Sequence, residues 1–523
     1  MTIMASCVEF FFWLLMILLC PWSHLLSCGS SDLFQPDYLM VPVSEFSSSL
    51  EAAINAIQNV TSTVSQFSHV SNDFHLSNAI SDCLELLDLS AELLDWTLSA
   101  SLKPDDGTRY GTGDLGFDFR TWLNGVLVNE DTCLEGFDGT SGTIKSLVEE
   151  RLSQVTSLVT SIRDTVHLPP DSMPIDIGGG RNPTNHEQTF PSWLKHEEKK
   201  LLLQPLDKGS ADVVVAADGT GNFTKISDAI KLVPERSSKR FVIYIKRGVY
   251  QEYVEIDNKK WNVALIGDGI DATVITGNRN AADGFKSYKS GTFRVKGRGF
   301  IARDITFQNT AGPQKAQAIA FLSDSDLSAI YRCAFRGYQD TLYAHNLRQF
   351  YKSCLITGTV DFIFGRSTAV FQSCQIRARK GLPQQKNAIT AQGRKEPGDG
   401  SGFSIQFSHI SAEPDVTAAN IETYLGRPWK LYSRTVILQS YISSAIHPKG
   451  WLPWNGSFAL DTLYYGEYMN FGPGARLDNR VNWPGFHEIQ DPSVANKFTV
   501  AKFILGDSWL PSTGIQYTDG LQA

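Results

Sequence analysis

The 523-residue sequence lacks the signatures of several common classes of enzyme. It contains no Gly-x-Ser-x-Gly segment, which disfavours a serine hydrolase. It contains no Cys-x-x-Cys pair and no cluster of histidines, which disfavours a zinc site. Its eight cysteines therefore favour disulfides in an oxidising compartment.

Long apolar runs are also scarce, and the one that occurs stands at the start of the chain. Residues 10–19 are apolar and small residues follow them, so we interpret residues 1–30 as a signal peptide. An uncleaved membrane anchor is the alternative, although the run falls short of the about 20 residues of a full span. Three glycosylation acceptors, at Asn59, Asn222 and Asn455, also favour secretion.

Positive charge is scarce in the first part of the chain. Residues 1–204 carry 10 Lys and Arg against 27 Asp and Glu, a net charge of −17. The remaining residues carry 37 against 28, a net charge of +9, and the two add to the −8 of the whole chain. The two parts are expected to attract each other, or the basic part to bind a polyanion; the alternative is that the charge only tunes solubility.

A helical periodicity marks residues 31–167, where apolar residues recur at steps of three and four, as on a buried helix face. The clearest series is Val148, Leu152, Val155, Val159, Ile162 and Val166. Three to four such helices predict a helical bundle, in which a Cys83–Cys133 disulfide could join two helices. We interpret Asp82, Glu85 and Glu92 as a solvated helix face.

Residues 168–205 have no periodicity and are rich in proline and glycine, which predicts a linker. The pair Lys199-Lys200 near its end is a candidate processing site, since exposed linkers are where proteases cut. A second domain is expected over residues 206–523.

A repeat of short strands organises this second domain. Tyr331-Arg332-Cys333, Tyr351-Lys352-Ser353-Cys354 and Phe371-Gln372-Ser373-Cys374 recur every 20 or 21 residues without helices between them. This period predicts a parallel β-helix rather than a β-sandwich, for which few hairpin turns are present. Equivalent residues then lie on neighbouring rungs, and a Cys333–Cys354 disulfide is expected.

Residues 358–365, Gly-Thr-Val-Asp-Phe-Ile-Phe-Gly, contain a costly carboxylate, Asp361, in an apolar strand-like run. Asp340 lies one period earlier, so the two carboxylates should face the same groove. The two carboxyl groups of such a pair have different pKa values. One is ionised and can act as nucleophile or base, and the other is protonated and can act as acid. Arg427 is a natural partner for the ionised member, and Gln317 and Gln339 could stabilise an oxyanion.

Aromatic residues in the same region could line a groove against sugar rings. The candidates are Tyr343, Phe364, Trp429 and Trp451.

Several of these stretches, in this order, resemble the plant pectin methylesterases. The resemblance covers the second domain and rests on residues 248–252, 317–321, 338–343, 358–365, 425–429 and 462–468. More loosely, residues 31–167 resemble the invertase and pectin methylesterase inhibitor pro-region of that family, with Cys83 and Cys133 at its helix-linking positions.

The resemblance implies a right-handed parallel β-helix that de-esterifies methylated homogalacturonan in the cell wall, without metal or cofactor. It implies that Asp361 is the nucleophile and that Asp340 is the acid and base. Gln339 would stabilise the transition state, Arg427 would orient the nucleophile, and the substrate would be bound by Ser287, Gln317, Arg427 and Trp429. Arg366 stands where asparagine is common, which leaves the pH optimum open.

The resemblance also implies partners and a location. These are the pro-region itself, separate inhibitor proteins, a subtilase-type protease acting at Lys199–Leu202, and the apoplast; no nucleic acid is expected. Two alternatives stay open: a β-helix lyase or glycosidase acting on the same polymer, and a non-catalytic wall-binding protein.

Overall fold

The structure is a computed structural model that describes residues 36–68, 73–103, 110–140, 142–167 and 208–522. The expected signal peptide and the expected processing site at Lys199 lie outside these residues. Within the described residues, no helix is both long enough and apolar enough to cross a membrane.

The first part of the chain forms the predicted helical bundle. Its helices are α1 (Val43–Ser65), α2 (Phe74–Leu102), α3 (Leu115–Gly136) and α4 (Gly142–Asp164). The side chains of Asp73 and Asp114 accept hydrogen bonds from backbone N–H groups in the first turns of α2 and α3. These N-caps stabilise the start of each helix. The predicted periodic residues of α4 are buried, and the predicted Cys83–Cys133 disulfide joins α2 to α3.

The second part is a parallel β-helix, as predicted, with three parallel sheets. The seven coils from β2 to β22 each contribute one strand to every sheet, and the coils at the two ends contribute to fewer. The strands of sheet 1 are β1 (Val213–Val215), β2 (Phe241–Ile245), β5 (Val263–Ile266), β8 (Ile301–Arg303), β11 (Ser328–Tyr331), β14 (Arg348–Lys352), β17 (Thr368–Gln372), β20 (Gly402–Gln406), β23 (Arg434–Leu438), β25 (Tyr464–Tyr468) and β26 (Phe486–Glu488).

The strands of sheet 2 are β4 (Val254–Ile256), β7 (Phe293–Val295), β10 (Phe321–Ser323), β13 (Leu342–Ala344), β16 (Ile363–Gly365), β19 (Asn387–Gln392) and β22 (Thr423–Gly426). The strands of sheet 3 are β3 (Gly248–Gln251), β6 (Thr273–Gly277), β9 (Thr306–Asn309), β12 (Ala334–Arg336), β15 (Leu355–Gly358), β18 (Gln375–Ala378), β21 (His409–Ala412) and β24 (Tyr441–Ile442).

Short helices decorate the coils and cover the C-terminal end. They are α5 (Ile226–Ile230), α6 (Ser287–Ser290), α7 (Pro414–Ala418), α8 (Pro492–Asn496), α9 (Val500–Phe503) and α10 (Gly506–Trp509).

The β-helix has an apolar core of its own. Inward-facing side chains of the three sheets form one cluster, whose members all belong to residues 213–465. Phe293, Phe321, Leu342 and Ile363 illustrate the stacking, since they occupy the same register position on four successive rungs of sheet 2. The core of the β-helix is therefore built without the helical bundle.

The predicted Cys333–Cys354 disulfide is wrong, because both cysteines are free. The strand register places Cys333, Cys354 and Cys374 on three neighbouring rungs, as the period predicted. Stacked side chains on parallel strands point the same way at the strand spacing of about 4.8 Å, whereas the Cβ atoms of a disulfide approach to about 3.8 Å. The three buried thiols pack as a column within the core.

Helices α2 and α3 lie against sheet 2 of the β-helix, and acidic side chains of the bundle meet basic side chains of the β-helix there. Asp118 pairs with Arg348, Asp131 with Arg366 and Lys395, and Glu135 with Lys430. The predicted attraction between the two parts is therefore built from specific ion pairs.

Apolar groups fill the same interface between these ion pairs. Gly125 of α3 lies so close to the β-helix that a Cβ atom there would stand 2.9 Å from the Leu347 side chain. Trp122 donates a hydrogen bond of 3.0 Å to Asp326, and the ring of Trp96 packs edge-on against Trp261. The two parts thus share one continuous apolar cluster.

The interpretation of Asp82, Glu85 and Glu92 as a solvated face is wrong. Asp82 and Glu92 are buried, and Glu85 forms ion pairs with three cations of the β-helix. Periodicity separates polar from apolar helix faces, but a polar face packed against opposite charge has the same pattern as one facing water.

Candidate active site

Asp340 and Asp361 lie on neighbouring rungs, as their spacing predicted. Each stands in the turn that enters sheet 2, Asp340 before β13 and Asp361 before β16, and the two strands pair in register. Both residues have positive φ, 61° and 53°, a left-handed conformation that Asp adopts more readily than most residues. Only 7% of Asp340 and 6% of Asp361 is exposed.

The glycines that close the motif around Asp361 are needed for close packing. A Cβ at Gly365, where φ is 129°, would stand 1.9 Å from the carbonyl oxygen of Ala344 on the neighbouring rung. A Cβ at Gly358 would stand 2.2 Å from the Cβ of Phe362. Both contacts are far below van der Waals distance, so the two glycines allow the turn that presents Asp361.

Arg427 holds the Asp361 carboxylate through two parallel hydrogen bonds, of 2.8 Å from Nε and 2.7 Å from Nη2. It follows directly after β22, two rungs beyond β16. Such a bidentate pair fixes both the position and the plane of a carboxylate.

The two carboxyl groups differ in their electrostatic surroundings. Burial raises the pKa of Asp361, and the hydrogen bonds and charge of Arg427 oppose that rise. Burial raises the pKa of Asp340 well above its usual range, and the neighbouring charge of Asp361 raises it further. Of the two groups, Asp361 is therefore the one that ionises more readily, and Asp340 is the one that holds a proton more strongly.

A cavity of about 360 Å³ opens beside these carboxylates. Its lining includes most of the residues predicted for the site: Ser287, Gln317, Gln339, Asp340, Tyr343, Asp361, Phe364, Arg427 and Trp429. Tyr343 and Phe364 stack in register with ring centroids 4.1 Å apart, and Trp429 packs edge-on against Phe364. The aromatic floor suits the faces of sugar rings, and the two glutamine amides supply neutral hydrogen-bond donors.

Residues of the helical bundle form the opposite wall of this cavity. They are Asp82, Thr132, Glu135 and Gly136. The Thr132 hydroxyl also lies 2.7 Å from Nε2 of His345, on the β-helix side. In the full chain the paired carboxylates are thus covered by α2 and α3.

Trp451 does not lie in this cavity, so its predicted contact with sugar is wrong. It is fully buried, stacks on Tyr465 with centroids 4.1 Å apart, and donates a hydrogen bond to Glu467. Trp454 lines the cavity instead, 37% exposed, with its ring 4.3 Å from the Arg427 guanidinium carbon. The sequence signal for an exposed position of Trp454 is the Asn455-Gly456 dipeptide that follows it, since such dipeptides mark surface turns.

Arg366, one residue beyond the motif that contains Asp361, pairs with other carboxylates. Its guanidinium pairs with Asp131 of α3 and lies 3.5 Å from Asp399. The buried cation therefore belongs to the interface with the bundle.

The fold and the site define a class of protein. It is a parallel β-helix enzyme whose paired carboxylates are covered by a four-helix domain of the same chain. The pectinesterase family profile matches residues 212–507, and the profile of the plant invertase/pectin methylesterase inhibitor family matches residues 32–162. The chain belongs to the pectinesterase family and carries an inhibitor-family domain before the esterase domain.

Two named plant relatives are similar to this chain over nearly its whole length. The chain is 56% identical over 517 residues to the probable pectinesterase/pectinesterase inhibitor 32 of Arabidopsis thaliana, covering 98% of each chain. It is 54% identical over 513 residues to the pectinesterase/pectinesterase inhibitor PPE8B of Prunus persica, covering 97% of this chain and 96% of the relative. A solved pectin methylesterase from carrot is 50% identical, with a TM-score of 0.60, and covers 60% of this chain and 99% of its own.

Proposed function

We propose that the chain hydrolyses the methyl esters of homogalacturonan to pectate and methanol, with Asp361 as the nucleophile. The observation that carries this proposal is the asymmetry of the pair: Arg427 donates two hydrogen bonds to Asp361, whereas burial and the neighbouring charge of Asp361 raise the pKa of Asp340. One group is ready to attack a carbonyl carbon and the other to protonate a leaving group.

In the first step a carboxylate oxygen of Asp361 bonds to the ester carbonyl carbon. The resulting oxyanion accepts hydrogen bonds from the side-chain amide of Gln339, and Gln317 helps to bind the ester. The C–O bond to the methoxy group then breaks, and Asp340 gives its proton to the methoxy oxygen, which leaves as methanol. In the second step Asp340 removes a proton from a water molecule whose oxygen attacks the galacturonate carbonyl carbon of the anhydride. The bond from that carbon to Asp361 breaks, which releases the free carboxyl group of the polymer and regenerates ionised Asp361 and protonated Asp340.

Substrate contacts come from the lining of the cavity. Ser287, Tyr343, Phe364 and Trp429 would contact the polymer, together with Trp454.

We also propose that the helical domain inhibits the esterase until it is removed. The support is steric, because α2 and α3 wall the cavity that contains the carboxylates. Cleavage at Lys199–Leu202 by a subtilase-type protease would release it, and separate inhibitor proteins of the same family would bind the same surface. In this proposal the helical domain spans residues 31–167, the linker spans residues 168–205 and the esterase domain spans residues 206–523.

A signal peptide over residues 1–30 would direct the protein to secretion. The secreted protein would then meet this substrate in the cell wall. The three proposed glycosylation sites, Asn59, Asn222 and Asn455, are all exposed, as a glycan requires.

The experiment measures methanol release from methyl-esterified pectin by the protein cut in its linker. Asp361→Ala should lower the rate by about 10³-fold or more, because the variant lacks the carboxylate that attacks the ester. Asp304→Ala is the matched control: Asp304 has the same left-handed conformation at another corner, where it pairs with Arg332, and its loss should leave the rate unchanged. An active Asp361→Ala variant would refute the mechanism, and shortened polymer or new unsaturated ends would favour a glycosidase or a lyase.

A further inference from the structure

Three basic side chains of the β-helix surround one carboxylate of the helical domain. Lys289 lies in α6, whereas Arg294 and Lys296 lie in and just after β7; together they are called the cationic cluster here. Lys289 Nζ lies 2.6 Å and Arg294 Nη1 lies 3.1 Å from the carboxylate of Glu85, which Lys296 also contacts. Although burial opposes it, these three cations lower the pKa of Glu85.

The cationic cluster adjoins the catalytic cavity along the direction of the groove. Strand β7 is separated from β13, which follows Asp340, by the single strand β10. At about 4.8 Å between strands, the cluster lies about 10 Å along sheet 2 from the rung of Asp340. Asp82 connects the two places, since it lines the cavity and lies 3.3 Å from Lys289.

The charges of the cluster are not balanced by the β-helix itself. In the described part of the β-helix, Glu255 is the carboxylate that pairs with it, through Arg294 and Lys296. When the helical domain leaves, Glu85 goes with it, and three positive charges face one negative charge. Such a site favours an anionic group that replaces Glu85.

We propose that the cationic cluster binds a free carboxylate of the galacturonate polymer, and that Glu85 occupies this subsite in the full chain. A single carboxylate that accepts hydrogen bonds from three cations shows the chemistry of the ligand directly. Because the cluster continues the groove of the paired aspartates, the carboxylate belongs to a sugar unit a short way along the same polymer chain. This inference rests on the proposed esterase function only for the identity of the polymer.

The subsite gives the enzyme a preference among esters. An ester in the catalytic cavity is bound more tightly when a nearby unit has already been de-esterified, because that unit supplies the carboxylate. De-esterification therefore proceeds preferentially beside existing free carboxylates.

The first test measures binding without chemistry. The protein is folded as the full chain, cut at a specific protease site inserted between residues 180 and 181, and separated from its helical domain. Calorimetric titration with de-esterified oligogalacturonate should give an affinity that falls about tenfold in Lys296→Gln, since one charge-assisted hydrogen bond is lost. Lys289→Gln, at a less buried position, should act in the same direction and serves if Lys296→Gln does not fold.

The second test measures kinetics with two substrates. For half-esterified pectin, KM should rise about tenfold in the cluster variants, whereas kcat and the KM for highly esterified pectin stay unchanged. Arg332→Gln, an exposed arginine paired with Asp304 on another corner, is the control and should change neither value.

The outcomes separate the two proposals. Equal affinity of wild type and both cluster variants for oligogalacturonate would overturn the subsite, and so would an equal change of KM for both substrates. Binding of inorganic sulfate as tight as that of oligogalacturonate would also overturn it, because the cluster would then be a general anion site. Absence of methanol release by the wild type would overturn the proposed function instead, and the titration would still decide the subsite.

Discussion

Replacing Asp131 by asparagine should activate the uncut chain. Asp131 of α3 pairs with the buried Arg366, and its other oxygen lies 2.7 Å from Lys395 Nζ. Asparagine keeps the shape of the side chain but removes its charge. The change weakens the hold of the helical domain on the β-helix and leaves the catalytic cavity intact, since Asp131 and Arg366 are not among its lining residues.

The magnitude follows from the burial of Arg366. Removing one partner of a buried ion pair costs about 3–5 kcal/mol when the other charge is left uncompensated. Here Asp399 stays 3.5 Å from the Arg366 guanidinium, so the loss is nearer that of one charge-assisted hydrogen bond, about 2 kcal/mol. That energy changes the equilibrium between covered and open sites about 30-fold, and the methanol release of the uncut chain rises by the same factor while the covered state dominates.

The assay compares initial rates of methanol release before and after cutting the linker. Asp131→Asn should raise the uncut rate and leave the cut rate equal to that of the wild type. Asp138→Asn is the control, because Asp138 pairs with Lys145 within the helical domain, at an exposed position. An unchanged uncut rate in Asp131→Asn, or an equal rise in Asp138→Asn, would show that this ion pair does not hold the domain in place.

Further predictions concern the site and the pH. Arg427→Lys should lower kcat about 10²-fold with a smaller effect on KM, because lysine cannot hold both oxygens of Asp361 and a small displacement of a nucleophile is costly; steady-state kinetics on the cut protein decides. Trp454→Ala should raise KM several-fold and leave kcat unchanged, which the same assay measures. Burial raises the pKa of Asp82 and of Glu92 to about 7, so the covered chain keeps protons that a free helical domain would release. The association of the helical domain with the β-helix should therefore weaken as the pH rises from about 4 to about 7. The ratio of the methanol-release rate of the uncut chain to that of the cut protein should rise over that window.

The period of the sequence predicted the β-helix and the main geometry of its site because a solenoid converts sequence distance directly into spatial distance. A spacing of 21 residues between Asp340 and Asp361 is one coil, and the structure has them on neighbouring rungs. Arg427 stands 66 residues beyond Asp361, where intervening turns vary in length, so the period alone could not assign it. Its charge and the resemblance of its segment to a known family supplied that part of the prediction.

The errors share a physical cause, which is that a local pattern does not report what packs against it. Equal spacing placed Cys333 and Cys354 side by side but could not tell that their side chains run parallel. Helical periodicity assigned Glu85 to a polar face but could not tell that cations cover that face. Aromatic character marked Trp451 for a groove, although its stacking on Tyr465 belongs to the core.

The ion pairs between the helical domain and the β-helix explain why the two parts of the chain carry opposite net charge. The excess acid of residues 1–204 and the excess base of the remainder meet at the groove that would hold an acidic polymer. A domain that covers a polyanion site by presenting its own carboxylates competes with every free carboxylate that the enzyme produces. If the cationic cluster takes galacturonate as proposed, accumulated product displaces Glu85 and loosens the helical domain, so the uncut chain becomes more active as its substrate loses esters. The same cations would then inhibit the enzyme on fresh pectin and direct it on pectin that has already been partly processed.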